Sequence, residues 1–324
     1  MHSQAIMPTL TMKYFLGIDG GGTHTTAWLA DGNLTPLARV KAGPSNPVKV
    51  GAANSQRELA SVYRKALGAA RIRPAILDGV CAGLAGGDSA PIQQSMLRWM
   101  RKAIPARAHL ITTDAAITLA AALGESQGII VIAGTGSIAF GRDRQGGILR
   151  VGGWGNQFDD AGSGFDMGRK AILAALRAHD GRGKATSLAP AICRELQISG
   201  ITEAVPMALT PQKIAGLFPL VKQQASEGDA VARRLCLEAA ADLAELATTI
   251  MRRLRWKRRT VPVVCSGGIF QSSTLIRRAF TRRIHEYAPR ARVTLLKREP
   301  VEGALLLAMQ RTKSTERPSL PRGC

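Results

Sequence analysis

The chain has 324 residues, a hydrophobic content of 45% and a formal net charge of +21 at pH 7. This length suits two domains, and the apolar content excludes a largely disordered chain. No apolar run reaches the roughly 20 residues of a membrane helix, the N-terminal residues lack a signal-peptide pattern, and the five cysteines form no C-x-x-C pair. We therefore expect a cytoplasmic protein with no membrane partner, no disulfide framework and no zinc site.

Much of the positive charge lies between Arg252 and Arg298, in the segments RRLRWKRR and RRAFTRRIHEYAPRAR. A basic surface attracts nucleotides, nucleic acids and other polyanions. It is also typical of solvated helices in an arginine-rich protein, and no recognisable nucleic-acid-binding module accompanies it. We expect no specific nucleic-acid partner.

Two similar segments begin at Tyr14 and Gly128, and they read YFLGIDGGGTHTTAWLADGN and GIIVIAGTGSIAFGRDRQGG. Each has an apolar run, a turn of glycine and hydroxyl residues, a second apolar run and a closing glycine turn. This pattern predicts two β-hairpins. Because a little over a hundred residues separate them, the repeat indicates two related domains rather than a solenoid.

Strands and helices are predicted to alternate between the two hairpins, which indicates a largely parallel sheet with active groups at the carboxyl ends of its strands. The second half of the chain is more helical. The predicted elements are helix 55–67, strand 76–82, helix 92–103, strand 109–113, helix 115–123, helices 165–178, 187–196, 211–227 and 230–254, strand 261–265 and helix 301–311.

The turn after the first strand carries the sharpest chemical signal. Gly21 and Gly22 let backbone amides approach phosphate oxygens, and Thr23 can donate its hydroxyl to a phosphate. Asp19 can hold Mg²⁺ through water. The alternative is an ordinary glycine-rich hairpin loop, and the spacing matches neither a Rossmann nor a P-loop motif.

Two further glycine turns follow predicted strands. The second turn contains Thr135, Gly136 and Ser137, which supply the same glycine amides and hydroxyl groups as the first turn. The two turns could therefore bind one triphosphate together. Gly267 and Gly268 could let an adenine ring lie against the backbone, although a turn of this kind is more often structural.

Asp114 ends the predicted strand 109–113 and opens the next helix. It is either the N-cap of that helix or a general base that takes a proton from a substrate hydroxyl. Spacing alone leaves both readings open.

Residues 152–164 are rich in glycine and contain a single tryptophan. Trp154 could pack a sugar ring, and Asp160 could accept hydrogen bonds from its hydroxyls. The alternative is an Ω-like loop that packs its own tryptophan.

Taken together and in this order, the motifs LGIDGGGT, ITTDAA, IAGTGS, GGWG, DxGSG and VCSGGIF resemble the N-acetylglucosamine kinase branch of the BadF/BadG/BcrA/BcrD ATPase family, in the sugar kinase and actin superfamily. The resemblance covers roughly residues 13–310. It implies an α/β fold with two ribonuclease H-like, actin-like ATPase domains around a central cleft, over residues 13–115 and 116–300. The helix 301–311 would return to the first domain, leaving loose tails at 1–12 and 312–324.

The resemblance also implies roles for individual residues. Asp114 would be the catalytic base, Thr23 and Thr135 phosphate contacts, and Gly268 an adenosine contact. The implied sugar contacts are Asn46, Ser137, Gly153, Trp154, Gly155 and Asp160. One departure stands out: the family usually has glycine and glutamate where this chain has Asp159 and Ala161. Asp159 could turn inward and compensate for the missing glutamate, but the alternative that it stays in solvent is slightly favoured.

The implied reaction is an ATP- and Mg²⁺-dependent phosphoryl transfer to O6 of an amino sugar, most readily N-acetylglucosamine, in amino sugar metabolism. Glucosamine is a close alternative, and a homodimer is left open. A different class is an ATPase activator of an acyl-CoA reductase or dehydratase, which shares an iron–sulfur cluster across a dimer. Cys81 and Cys265 lie beside glycine turns, but they read better as small buried residues.

Overall fold

The computed structural model describes residues 12–73 and 76–316. The strands are β1 (Tyr14–Gly20), β2 (Thr25–Asp31), β3 (Pro36–Ala42), β4 (Leu77–Leu84), β5 (Ala106–Thr113), β6 (Gly128–Ala133), β7 (Ser137–Arg142), β8 (Ile148–Gly152), β9 (Pro262–Ser266) and β10 (Arg292–Leu295). The helices are α1 (Pro47–Val50), α2 (Ala52–Ala70), α3 (Ala90–Ala103), α4 (Asp114–Leu123), α5 (Gly164–His179), α6 (Leu188–Leu196), α7 (Pro211–Ala215), α8 (Phe218–Ser226), α9 (Ala230–Arg253), α10 (Gly268–Ser272), α11 (Thr274–Tyr287) and α12 (Pro300–Glu316), with a 3₁₀ turn at Ile201–Ala204. Within these ranges, no helix is both long and apolar enough to cross a bilayer.

The chain divides into two compact units. Among the described residues, the first contains those up to Gly124 together with those from Lys297 onward, and the second is Glu125–Leu296. The division follows α4, whereas the sequence suggested a boundary after residue 115. The physical reason is that α4 packs against α12 inside the first unit.

The two units share one sheet design. In the first, the strand order is β3-β2-β1-β4-β5, and in the second it is β10-β9-β6-β7-β8. In each, an antiparallel three-strand meander is extended by two parallel strands. Both predicted hairpins, β1–β2 and β6–β7, are confirmed. The expectation of a largely parallel sheet is corrected, because both sheets are mixed.

Helices cover both faces of the first sheet, and β1 shows why. Side chains alternate along a strand, so Leu16 and Ile18 point to one face while Phe15 points to the other. Leu16 and Ile18 belong to a core with residues of α2 and α3, and Phe15 belongs to a second core with residues of α4 and α12. Asp19 is four residues after Phe15 in the same strand, so its side chain is on the same face of the sheet, the face that α4 and α12 cover.

The helix α12 approaches the sheet through glycines. A Cβ on Gly17 of β1 would lie 2.7 Å from the Val301 carbonyl oxygen, and one on Gly79 of β4 would lie 2.7 Å from that of Ala308. Gly303 of α12 is tighter still, because its Cβ would lie 1.8 Å from the Ile117 carbonyl oxygen in α4. The absence of side chains at these positions lets α12 sit directly on β1, β4 and α4.

Two predicted elements differ from the structure. The helix predicted over residues 211–227 is two helices, α7 and α8, that break around Gly216 because the ring nitrogen of Pro219 has no N–H to continue the ladder. The last helix continues past residue 311 to Glu316, since Thr312 is buried and its hydroxyl donates to the Asp78 carbonyl oxygen at 3.0 Å. Residues 1–11 and 317–324 of the predicted loose tails lie outside the described residues.

Candidate active site

Two carboxylates lie at the carboxyl edge of the first sheet. Asp19 is the second-last residue of β1. Asp114 directly follows β5 and is the first residue of α4. The strand ends are level, because Gly20 pairs with Leu84 of β4 and Leu84 pairs with Thr113. The sheet register therefore brings both carboxylates to one edge.

Thr113, and not Asp114, is the N-cap of α4. The Thr113 hydroxyl accepts a hydrogen bond from the Ala116 amide at 3.1 Å, whereas Asp114 accepts one from the adjacent Ala115 amide at 2.9 Å. The capping interpretation of Asp114 is thus wrong. Its Oδ1 is the oxygen that accepts this bond, and the residue is open to solvent although neighbouring atoms crowd the carboxyl group and partly desolvate it.

The surroundings of both carboxylates favour their protonated forms. Desolvation, followed by the charge of Asp114, raises the pKa of Asp19 to about 6, although the charge of His24 opposes the shift. Desolvation also raises the pKa of Asp114, against the hydrogen bond from the Ala115 amide. A cation placed beside these oxygens would remove part of this electrostatic cost.

This donor set fits Mg²⁺ better than a transition metal. The described part of the chain contains no cluster of three or more His, Cys, Asp or Glu side chains suited to a metal. Mg²⁺ usually takes one or two carboxylates and keeps several waters, so a single carboxylate such as that of Asp19 is compatible with such a site.

The turn between β1 and β2 has unused amide donors. The Gly21 amide donates to the His24 carbonyl oxygen at 3.0 Å and closes the turn. Within residues 12–73 and 76–316, no hydrogen bond uses the amides of Gly22 and Thr23. The Thr23 hydroxyl lies 3.0 Å from Nδ1 of His24 and is exposed. Such a turn can receive phosphate oxygens.

The segment around Asn46 rests on this turn. The amides of Ser45 and Asn46 both donate to the Gly21 carbonyl oxygen, at 3.0 and 3.1 Å. Asn46 is the N-cap of α1, and its Oδ1 accepts hydrogen bonds from the Val48 and Lys49 amides. The cap fixes the orientation of the side chain and leaves its Nδ2 group as a donor for a ligand.

Lys49 is a functional candidate that sequence reasoning missed. Its Nζ donates to the Gly22 carbonyl oxygen at 3.0 Å, so the ammonium lies directly beside the glycine turn. In a chain with 44 lysines and arginines, a single lysine carries no signal in the sequence. Its position in α1, three residues after the Asn46 cap, is the only local clue.

In the second unit, the β6–β7 turn is bound to the start of α5. The carbonyl oxygens of Gly134 and Thr135 accept the Gly164 and Phe165 amides at 2.8 and 3.1 Å. The Ser163 hydroxyl caps α5 by accepting the Asp166 amide. The amides of Thr135 and Gly136 remain without a partner among the described residues, as in the first turn.

A cavity of about 630 Å³ opens next to this turn, within the second unit. Its walls include Thr135, Phe218, Gln271 and Gly268. Nothing lies within 4 Å of the position that a Cβ on Gly268 would take, so this wall is flat and open. Gly267 has a packing role instead, because its φ is +95° and its Cβ would lie 2.2 Å from the Ala133 carbonyl oxygen.

Asp160 is buried against the same turn. Its Oδ1 accepts the Ser137 amide at 3.1 Å, and the Ser137 hydroxyl donates to the Ala161 carbonyl oxygen at 2.7 Å. A Cβ on Gly136 would meet the Asp160 carboxylate at 2.8 Å. Asp160 has a φ of +64°, and desolvation raises its pKa. A buried carboxylate with one unshared oxygen in a left-handed residue is an unusual arrangement for a purely structural loop.

Trp154 does not pack inside its own loop. Its side chain is 69% exposed, and the Arg150 guanidinium covers one face at 4.6 Å from the ring centroid. Gly153 and Gly155 on either side have φ of +73° and +92°. The Ω-like packing alternative is therefore wrong, and the other ring face is available to a ligand.

Asp159 lies between the two positions that the sequence left open. It is half-buried, and its Oδ2 accepts the Trp154 amide at a long 3.4 Å. The carboxylate thus contacts the backbone of the tryptophan while part of the residue stays in solvent.

The two cysteines considered for a cluster are interior residues. Cys81 in β4 and Cys265 in β9 are buried, and burial raises the pKa of both thiols, that of Cys265 to about 12. Neither thiol reaches the surface of its own unit, as a cluster shared between two copies would require.

Comparison with known proteins identifies relatives over nearly the whole chain. The chain is 31% identical over 302 residues to an N-acetylmuramic acid/N-acetylglucosamine kinase of Clostridium acetobutylicum, covering 92% of this chain and 98% of the relative. It is 28% identical to an N-acetyl-D-glucosamine kinase of Dictyostelium discoideum, covering 94% and 100%. A solved structure from Chromobacterium violaceum, described as an N-acetylglucosamine kinase, superposes with a TM-score of 0.74 at 29% identity, covering 91% of this chain and 99% of that one.

The family model described as the BadF/BadG/BcrA/BcrD ATPase family matches residues 16–308, which contain every site residue discussed above. The resemblance inferred from the motifs is therefore confirmed, and so is the two-domain actin-like fold, which the solved relative shares over nearly its whole length. This chain belongs to the BadF/BadG/BcrA/BcrD ATPase family.

Proposed function

We propose that this protein is an ATP-dependent kinase that phosphorylates an amino sugar, with N-acetylglucosamine as the favoured substrate and O6 as the acceptor. The observation that carries the proposal is the joint placement of Asp19 and Asp114 beside a turn with free amides. The relatives named for this activity, and membership of an ATPase family, support it.

We assign the following roles in the first unit. Asp114 accepts the proton of the attacking sugar hydroxyl, because phosphoryl transfer needs positioning, charge stabilisation and little other covalent chemistry. Gly21, Gly22 and Thr23 hold phosphate oxygens, and Nδ2 of Asn46 donates to a sugar hydroxyl. Asp19 anchors Mg²⁺, which when bound offsets the negative charge of the phosphates.

In the second unit, we assign Thr135 and Gly136 to the phosphates and the 630 Å³ cavity at Gly268 to the adenosine. Ser137 and Asp160 would bind sugar hydroxyls. Gly153, Trp154 and Gly155 would form the surface against the sugar ring. ATP use and the free thiols of the described cysteines fit a cytoplasmic enzyme.

The proposal is tested by ADP release in a coupled assay with glucosamine, N-acetylglucosamine, N-acetylmuramic acid, N-acetylmannosamine and glucose. N-acetylglucosamine should give the highest kcat/KM, and its 6-deoxy analogue should give none above the rate with ATP alone. A protein that releases ADP equally with and without every sugar would not be the proposed kinase.

Replacement of Lys49 with methionine should lower kcat/KM for ATP about tenfold to a hundredfold, because a hydrogen bond to a charged group contributes roughly 1.5–3 kcal/mol. The matched control is Lys65→Met, since Nζ of Lys65 also donates to a backbone carbonyl, that of Lys41, at 3.2 Å. Steady-state kinetics would count against a phosphate role for Lys49 if both variants behaved alike.

Replacement of Gly268 with leucine should raise the KM for ATP about tenfold or more while the protein stays folded. The new side chain enters open space at the cavity wall and meets no neighbour within 4 Å at its Cβ. Gly68→Leu, at another helical glycine with an open Cβ position, serves as the control. Unchanged nucleotide affinity in Gly268→Leu would show that the adenosine binds outside this cavity.

The Ala161→Glu replacement should lower the KM for N-acetylglucosamine, because alanine cannot accept a hydrogen bond where the motif resemblance implies a glutamate. A charged acceptor contributes roughly 1.5–3 kcal/mol, or about tenfold to a hundredfold in binding. Ala161→Gln separates the charge from the size of the side chain, and Asp159→Gly should have a smaller effect. Lower activity of Ala161→Glu with every sugar would mean that this loop serves another ligand.

A further inference from the structure

A second cavity, of about 610 Å³, lies between α5 and α9 in the second unit. It is at the C-terminal end of α5, whereas the proposed phosphate turn is bound to the N-terminal end of the same helix. Arg177 is thirteen residues after Gly164, so a rise of 1.5 Å per residue separates them by about 20 Å along the helix axis. The proposed active-site residues do not line this cavity.

The loop that closes one side of the cavity is firmly anchored. The Asp229 carboxylate accepts hydrogen bonds from the Thr186 hydroxyl, the Ser187 amide and the Ser187 hydroxyl at 2.7–2.9 Å, and it also caps α9 through the Ala232 amide. Burial by itself would raise the pKa of Asp229. The hydrogen bonds have the larger effect, so the pKa of this carboxyl group is lowered. Lys184, two residues before Thr186, is thereby held near the start of α9.

Five cationic side chains line the cavity, and three of them are compensated. Lys170 pairs with Asp166 at 2.7 Å and with Asp242 at 3.3 Å. Arg182 pairs with Asp180, and Arg234 pairs with Glu238 at 3.5 Å. Among the described residues, Arg177 and Lys184 have no ion-pair partner. The cavity therefore retains about two uncompensated positive charges.

The rest of the lining is partly apolar. Leu173 and Ala174 of α5 face the cavity together with Val231 and Leu235 of α9. Leu173 is 45% exposed, which leaves an aliphatic side chain in contact with solvent at the cavity wall. The cavity therefore combines an apolar wall with six charged side chains, and its volume falls within the roughly 300–1,000 Å³ that is typical of small-molecule sites.

We propose that this cavity binds a small organic phosphate monoester. A phosphate monoester carries about −1.5 to −2 charges at pH 7, which matches the two uncompensated cations Arg177 and Lys184. The guanidinium of Arg177 can bind phosphate oxygens bidentately, and the ammonium of Lys184 adds a point charge. The organic group of the ligand lies against Leu173, Val231 and the neighbouring apolar side chains.

Titration calorimetry with phenyl phosphate as the probe tests the proposal. The Arg177→Gln/Lys184→Gln variant should bind the probe about tenfold or more weakly than the unmodified protein. The control Arg258→Gln/Arg290→Gln removes the same two charges from exposed arginines that do not line the cavity, and it should bind nearly as the unmodified protein does. Any binding at the proposed active site contributes equally to both double variants.

The contribution of the apolar wall is measured separately, by comparing phenyl phosphate with inorganic phosphate. Phenyl phosphate should bind more tightly than inorganic phosphate, and Leu173→Asn should reduce this preference while leaving inorganic phosphate binding unchanged. Equal weakening in the two double variants, or no preference for the phenyl ester, would overturn the proposal. These binding results do not depend on kinase activity, so they remain informative whichever sugar the enzyme uses.

Discussion

The Asp114→Asn variant should turn over sugar about 10² to 10⁴ times more slowly than the unmodified enzyme, the usual range for the loss of a general base. The replacement is nearly isosteric, and the asparagine oxygen can still accept the Ala115 amide. Nucleotide binding should remain close to normal, because the substitution leaves the proposed phosphate turns and the proposed adenosine cavity unchanged. The measurements are ADP release for turnover and fluorescence titration for nucleotide affinity.

Asp88 supplies the control for this variant. It is exposed, and its negative charge contributes to the raised pKa of Asp114. Asp88→Asn should therefore change turnover only slightly, through a small decrease in the pKa of Asp114. Turnover of Asp114→Asn close to that of Asp88→Asn would show that another group accepts the proton.

The Gly303→Ala variant should lose about 3 kcal/mol of stability, which corresponds to a decrease of roughly 5–10 °C in the midpoint of thermal unfolding. The added methyl group would lie 1.8 Å from the Ile117 carbonyl oxygen and 2.6 Å from the Ala121 amide nitrogen of α4. Both neighbours are backbone atoms of a packed helix, so α12 must move away from α4. The loss exceeds the helix-propensity gain of alanine over glycine, which is at most about 1 kcal/mol.

Gly68→Ala is the matched helical control. Gly68 lies in α2, and nothing is within 4 Å of its Cβ position, so alanine should stabilise the protein by about 0.5–1 kcal/mol. The two substitutions are chemically identical and should shift the unfolding midpoint in opposite directions. A stabilising effect of Gly303→Ala would mean that α12 does not pack on α4 as described.

Local pattern was sufficient for the hairpins and their glycine turns. The apolar runs before Asp19 and Thr135 have strand length, and the glycines after them mark the turns that the structure contains. Strand–helix alternation placed Asp114 at a strand end, since the carboxyl ends of parallel strands meet at one edge. These features depend on neighbouring residues alone, which is why sequence reasoning reached them.

Contacts between distant segments decided the remaining features. Thr312 bonds to the backbone of Asp78, 234 positions earlier, and α12 extends beyond its predicted end because of that contact. Lys49 acquires its place beside the β1–β2 glycine turn because Asn46 bonds to Gly21. Nothing in the sequence around any of these residues encodes the position of its partner.

The sequence by itself determined the hairpin pair, the alternation of strands and helices and the carboxylates at the strand ends, because period-two hydrophobicity and glycine turns are local properties. Only the tertiary structure decided that Thr113 rather than Asp114 caps α4, that Trp154 is exposed under Arg150, and that Arg177 and Lys184 share a cavity. Hydrogen-bond competition at a helix end, solvent exposure of a ring and the pairing of charges all depend on which surfaces meet after folding.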